Sequence, residues 1–160
     1  EIIHRRQLLE AIVSRLDVEQ DKSTPHVCKL IKSFCSPKNP SEVALGDVMK
    51  RKQLFGQNLD CVNKLIAVAM RSTSSIRLNA LSSLAAVISQ HRDNLQTFIC
   101  HEGATEFLLL LLRQEKDYKI LSSACSIAAE LCDVRRGSSF AALHFHMKGG
   151  SMTALADLIA

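Results

Sequence analysis

One segment of this chain occurs about one and a half times, and that repetition limits the fold more than any other feature. Residues 93–132 run DNLQTFICHEGATEFLLLLLRQEKDYKILSSACSIAAELC: a short apolar turn, a glycine, a Leu-rich run and an Ala/Ser-rich amphipathic run. The same order restarts at Ser138 with SSFAALHFHMKGGSMTALADLIA and stops at Ala160 before the third run. A unit of about 40 residues built from helical segments cannot bury its apolar face alone and must stack on its neighbours. The expected fold is therefore an all-α solenoid that offers a surface to a partner.

Helical spacing recurs along the chain. Leu9, Ile12, Val13 and Leu16 form one stripe, and Val27, Leu30, Ile31 and Phe34 form a second. Thr24-Pro25 reads as a helix start, with Thr as N-cap and Pro in the first turn. The prolines at 37 and 40 end that helix, and Asn39-Pro40 opens the next, with Glu42 in its first turn. Val62, Leu65, Ile66, Ala69 and Met70 make a third stripe; Leu78, Leu81, Leu84, Ala85 and Ile88 make a fourth, with Ser74 or Ser75 as its cap. Asp93 is expected to cap a short helix, Gly103 to close it, and Thr105–Arg113 and Lys119–Cys132 to follow as helices. Ser138–Lys148 and Met152–Ile159 read as the last two. No strand-type alternation appears.

Composition agrees. The chain is 47% hydrophobic but only 4% aromatic, with no Trp, so its core is built from Leu, Ile, Val and Ala. That palette suits close helix packing better than a β-sandwich. Twenty basic residues against 16 acidic ones give a net charge of +4, short of the clustered excess of a dedicated nucleic-acid binder. No apolar run is long enough for a transmembrane helix, and no signal peptide is visible. Cys28, Cys35, Cys61, Cys100, Cys125 and Cys132 show no metal or disulfide spacing, and five of them sit at or beside apolar helical positions. Reduced thiols in a cytoplasmic or nuclear protein are the simplest reading. Glu1 and the apolar half-helix at Ala160 read as cuts in a longer protein.

The unit of short helix, Gly turn, middle helix and long Ala-rich helix resembles the armadillo repeat, with related HEAT-type repeats sharing much of the pattern. Gly103-Ala104 is the turn, Glu106–Arg113 the middle helix and Tyr118–Cys132 the long one. One unit earlier, Leu59–Met70 and Ile76–Ser89 match, with NALSSLA at 79–85 following the Ala/Leu-rich pattern. One unit later, Gly150 and the run Leu155-Ala156-Asp157-Leu158-Ile159 match. The resemblance implies a right-handed α-α superhelix of three-helix repeats over 44–160, the last one truncated, with 1–43 as an N-terminal cap or divergent repeat. It also implies that the long helices line a concave partner-binding face. Small residues at Ala80, Ala85, Ala86, Ala124, Ala128 and Ala129 would let those helices approach closely.

Armadillo proteins that bind nuclear-localisation peptides carry a Trp and, four residues on, an Asn that grips the peptide backbone. The matching positions are Asn79 and Ser83 in one helix, and Ser122 and Ser126 in the next. Serine has shorter reach and cannot make the two-point amide contact, so a backbone grip on basic peptides is not expected. A second resemblance is to the armadillo-like nucleotide exchange factors of Hsp70 chaperones, which lack the Asn–Trp ladder and carry units like Leu95-Gln96-Thr97-Phe98 before a Gly turn.

Other constellations read as structure. His144 and His146 point to different sides of a helix and cannot share an ion. Cys125 and Cys132 are explained by a buried seam, and Lys50-Arg51-Lys52, Arg5-Arg6 and Arg135-Arg136 by solvated faces, with contact to an acidic partner as the sharper alternative. The all-apolar run Phe107–Leu112 is expected to be buried all round. No nucleophile elbow, phosphate loop or carboxylate pair is present. The expected function is thus a non-catalytic scaffold or adaptor, without cofactor or metal. It would bind a protein partner through Asn79, Ser83, Ser122 and Ser126, with no nucleic acid and no membrane span. Apolar end faces of the array would offer a route to homo-oligomers, and Hsp70 nucleotide exchange is the alternative.

Overall fold

The computed structural model describes residues 2–17, 22–36 and 44–133. Among these the regular elements are all helical. They are α1 (Ile2–Val13), continued by a 3-10 turn over Ser14–Asp17, α2 (Thr24–Cys35), α3 (Leu45–Gln53), continued by a π turn over Leu54–Asn58, α4 (Cys61–Arg71), α5 (Ser74–Ile88), α6 (Arg92–Cys100), α7 (Ala104–Gln114) and α8 (Tyr118–Cys132). The expected helices over 138–148 and 152–159, and the Asn39-Pro40 start, lie outside the described residues.

A repeat is visible in what each helix buries. In α4 the buried residues are Cys61, Val62, Leu65, Ile66, Val68 and Ala69; in α7 they are Ala104, Thr105, Leu108, Leu109, Leu111 and Leu112. The two sets superpose at one constant spacing, Cys61 onto Ala104. The residue before each helix is left-handed at both ends of that interval: Asp60 at φ 54° and Gly103 at φ 79°. Such a residue turns the chain sharply into the new helix. At Gly103 the bend between α6 and α7 is 87°. Phe55 and Phe98 are buried at the same spacing, one before each turn.

The long helices then stack: α5 packs between α2 and α8. Sandwiched in this way, α5 buries residues around most of its circumference: Ala80, Leu81, Ser83, Leu84, Ala86, Val87 and Ile88. The outer helix α8 buries one stripe only, Ile120, Ala124, Ile127, Ala128 and Leu131. Of the six alanines expected at helix contacts, Ala80, Ala86, Ala124 and Ala128 are buried, whereas Ala129 is exposed.

Buried polar groups tie the short helices to the long ones. Asn94 is fully buried; its Nδ2 donates to the Lys52 carbonyl at 2.9 Å and the Val87 carbonyl at 3.0 Å, and its Oδ1 accepts from Gln57 Nε2 at 2.8 Å. This one amide therefore fastens α6 to α3 and α5. Gly56 lies against it, and a Cβ there would overlap the amide head. Lys52 is buried as well and donates to the Ser89 carbonyl. Ser89 Oγ donates to Glu130 at 2.8 Å, which carries the network to α8. Burial pushes the Lys52 ammonium below its usual pKa, against the pull of Cys35 and Glu130.

Several sequence expectations shift by one residue or change face. Thr24 is the first helical residue of α2 rather than its cap, a place held by Ser23. Thr73 precedes α5, and the short helix α6 is capped by His91, whose Nδ1 accepts from Asn94 N–H at 3.3 Å, and not by Asp93. The Leu-rich helix is not buried all round: Leu110 is 50% exposed, while Leu108, Leu109, Leu111 and Leu112 are buried. Cys132 is exposed and Cys125 half-buried, so the buried-seam reading fails for Cys132; Cys28, Cys35 and Cys61 are the buried thiols. Lys50-Arg51-Lys52 is not a solvated face. Only Lys50 is fully exposed, while Arg51 lies over the Phe34 ring at 5.8 Å and Lys52 is inside.

Candidate partner-binding cleft

Helices α2, α5 and α8 leave a cleft between them. Its volume is about 370 Å³, and it is lined by Lys29 and Lys32 of α2, Leu78, Asn79, Ser82 and Ser83 of α5, and Lys119 and Ser123 of α8. The sequence places these groups by helical geometry. Residues three or four apart share a face, so Lys29 and Lys32 stand together, as do Lys119 and Ser123, and as do Leu78 and Ser82.

The floor is hydrogen-bonded. Ser123 Oγ donates to the Lys119 carbonyl at 3.1 Å. With that proton committed, the Ser82 hydroxyl donates across the helix boundary in the 3.1 Å Ser82–Ser123 contact. Asn79 Nδ2 donates to the Ser75 carbonyl of its own helix at 2.9 Å. Leu78 supplies the apolar part of the wall.

The walls are cationic. Among the described residues three lysines line the cleft and no carboxylate does. All three lysines are exposed. The acidic groups at the start of α8 are directed to the backbone or to other cations. Asp117 Oδ1 caps α8 by accepting from Lys119 N–H at 2.9 Å. Glu115 Oε1 accepts from the Lys116 and Asp117 amides, and its other oxygen lies 4.0 Å from Arg77. Lys119 also stands 5.8 Å from the centre of the Tyr118 ring, which is 73% exposed.

The four residues expected to face a partner separate into three groups. Asn79 is in the cleft wall. Ser83 is 0% exposed, and its hydroxyl is spent on the Cys28 carbonyl at 2.6 Å and the Asn79 carbonyl at 2.7 Å. It pins α5 to α2 beneath the cleft, which corrects the expectation that it faces solvent. Ser122 and Ser126 are exposed on α8 and are not among the residues that line the cleft.

The mismatch has a physical source. The turn from α4 to α5 is Ser72-Thr73, whereas the turn from α7 to α8 is Glu115-Lys116-Asp117, one residue longer. The spacing that fits the middle helices therefore slips by one in the long helices. Ala80 then corresponds to Ala124 and Ser83 to Ile127, both buried pairs, and Asn79 corresponds to Ser123 rather than Ser122. Lys29, Lys32, Lys119, Ser82 and Ser123 were missed. The legible signals were the paired lysine spacing on α2 and the extra turn residue.

Among the described residues, no three His, Cys, Asp or Glu side chains are grouped to hold a metal ion. No single helix among them is long and apolar enough to cross a membrane. His144 and His146 lie outside the described residues. Comparison with protein-family models, with curated proteins and with solved structures returns no match.

Proposed function

We propose that this chain is a non-catalytic protein-interaction scaffold or adaptor, built as an armadillo-like array, and that it receives its partner across α2, α5 and α8. The observation that carries this reading is the open cleft on three successive long helices, with uncompensated lysines on both rims and an engaged polar floor. A stacked array gives such a surface rigidity, because each long helix is held by its neighbours. The recurring burial pattern of α4 and α7 and the stacking order of α2, α5 and α8 support the array. Asn79 contributes from the wall, and Ser122 and Ser126 from the open flank of α8.

Site-specific photo-cross-linking tests the proposal. A photoreactive residue replaces Asn79 and, in a separate variant, the exposed Leu110 of α7, which is outside the cleft. The expected result is a discrete protein adduct from position 79 and none from 110. No adduct at 79, or equal labelling at both, contradicts it. If the adduct is an Hsp70 ATPase lobe, release of a fluorescent nucleotide from that lobe decides for the exchange-factor alternative.

A further inference from the structure

The chemistry of the cleft defines its occupant further. Lys29 and Lys32 stand on one rim and Lys119 on the other, with α5 between them. Packed helix axes lie about 8–10 Å apart, so the axes of α2 and α8, on either side of α5, are at most two such steps apart, about 16–20 Å. An extended chain advances about 3.3–3.6 Å per residue. A segment lying across α5 therefore covers that distance with about five residues. Its middle would rest on Leu78 and on the Ser82–Ser123 pair.

We infer that the cleft binds an extended acidic protein segment that crosses the long helices, with carboxylates about five residues apart seated on the Lys29/Lys32 rim and on Lys119. This deepens the scaffold reading and rests on it. Three observations favour this partner over other occupants. Among the described residues no carboxylate lines the cleft, so none of them meets its charge from within. One of the two Nδ2 protons of Asn79 is held by the Ser75 carbonyl, which ties that amide to its own helix. The cleft's stronger handle on a partner is then the side-chain charge of its three lysines. Among the described residues no aromatic lines the cleft, so they do not provide the stacking ladder that single-stranded nucleic acid needs.

Charge steering of this kind is screened within about 10 Å at 0.1 M salt, which gives the inference a sharp signature. The test is fluorescence anisotropy with labelled peptides on the whole chain. One peptide carries two Glu pairs separated by five residues; a second has the same composition with the four Glu contiguous; a third replaces Glu by Gln. A single-stranded oligonucleotide serves as a competing polyanion. The expected result is that the spaced peptide binds at least tenfold more tightly than either control and loses at least tenfold in affinity between 50 and 500 mM salt. The Lys29→Gln/Lys32→Gln/Lys119→Gln variant should lose that binding, whereas Lys50→Gln should keep it, with circular-dichroism melts confirming that both variants fold.

Equal binding of the spaced and contiguous peptides, tighter binding of the oligonucleotide, or binding unaffected by the triple substitution overturns the inference. An adduct at position 79 with no acidic-peptide binding removes this inference and leaves the scaffold standing. Absence of the adduct removes the scaffold reading itself.

Discussion

At the scale of single residues, the molecule depends on a few buried polar groups whose partners are far away in sequence. Asn94 is the clearest: one side chain serves two backbone carbonyls and accepts from Gln57. Its amide cannot move without leaving buried carbonyls unpaired, a loss of about 1–3 kcal/mol. Gly56→Ala forces that choice, because the new Cβ would overlap the amide. We expect Gly56→Ala to destabilise by about 1–3 kcal/mol, the usual cost of overpacking, and to add little to the loss caused by Asn94→Ala, which already empties the space the new Cβ needs; urea unfolding of the single and double variants measures both. None of this was legible in the sequence, where Asn94 and Gly56 carry no mark of their contact. A bond between residues this far apart requires the fold.

The thiols make a second residue-scale prediction. Burial raises Cys28 and Cys35 to about 12 and Cys61 further still. In the unfolded chain the same groups ionise from about pH 9 upward. Above that pH the unfolded state sheds protons that the folded state keeps. Stability is therefore fully present below about pH 9 and falls as pH rises, by about 1.4 kcal/mol per pH unit for each such thiol. Lys52 acts with the opposite sign. Its folded pKa is depressed, so stability rises with pH up to the usual lysine value and offsets part of the slope. At pH 8, a thiol reagent should label Cys100 and Cys132 quickly and leave the three buried thiols until the protein unfolds. Fast labelling of Cys61 in the folded protein would contradict the burial described.

At the scale of elements, the middle and long helices are readable from apolar spacing because each buries a stripe against a neighbour, and periodicity reports such stripes. The helix starts are less readable. Ser, Thr and Asp cluster before α2, α5 and α6, so several residues compete for each cap and the structure selects one next to the expected candidate. Leu110 shows the same limit in another form, since a run of leucines carries no mark of which one faces water. The long-helix register failed because the α7–α8 turn has one more residue than its counterpart; one residue rotates a helix face by about 100°. The turns into α4 and α7 give the element-scale prediction. Gly103 has φ 79°, and a Cβ there would meet only Met70 Cε at 3.5 Å, an ordinary contact. The cost of Gly103→Ala is thus left-handed backbone strain alone, about 1–2 kcal/mol. A thermal melt should show that loss with no change in peptide affinity.

At the scale of the whole molecule, three long helices in stacking order bring α2 and α8 to the two sides of one cleft. Lysines with no mutual relation in sequence become neighbours on one surface. The charge of this surface was not legible in the repeat, because the cations come from different helices at non-equivalent positions. Lysine methyl NMR reads this surface most directly. Reductive methylation retains the charge of each lysine and gives each a separate signal. On addition of the partner protein captured at position 79, the account predicts that the signals of Lys29, Lys32 and Lys119 shift together while that of the exposed Lys50 stays in place. A shift at Lys50 with the cleft trio unmoved would contradict it.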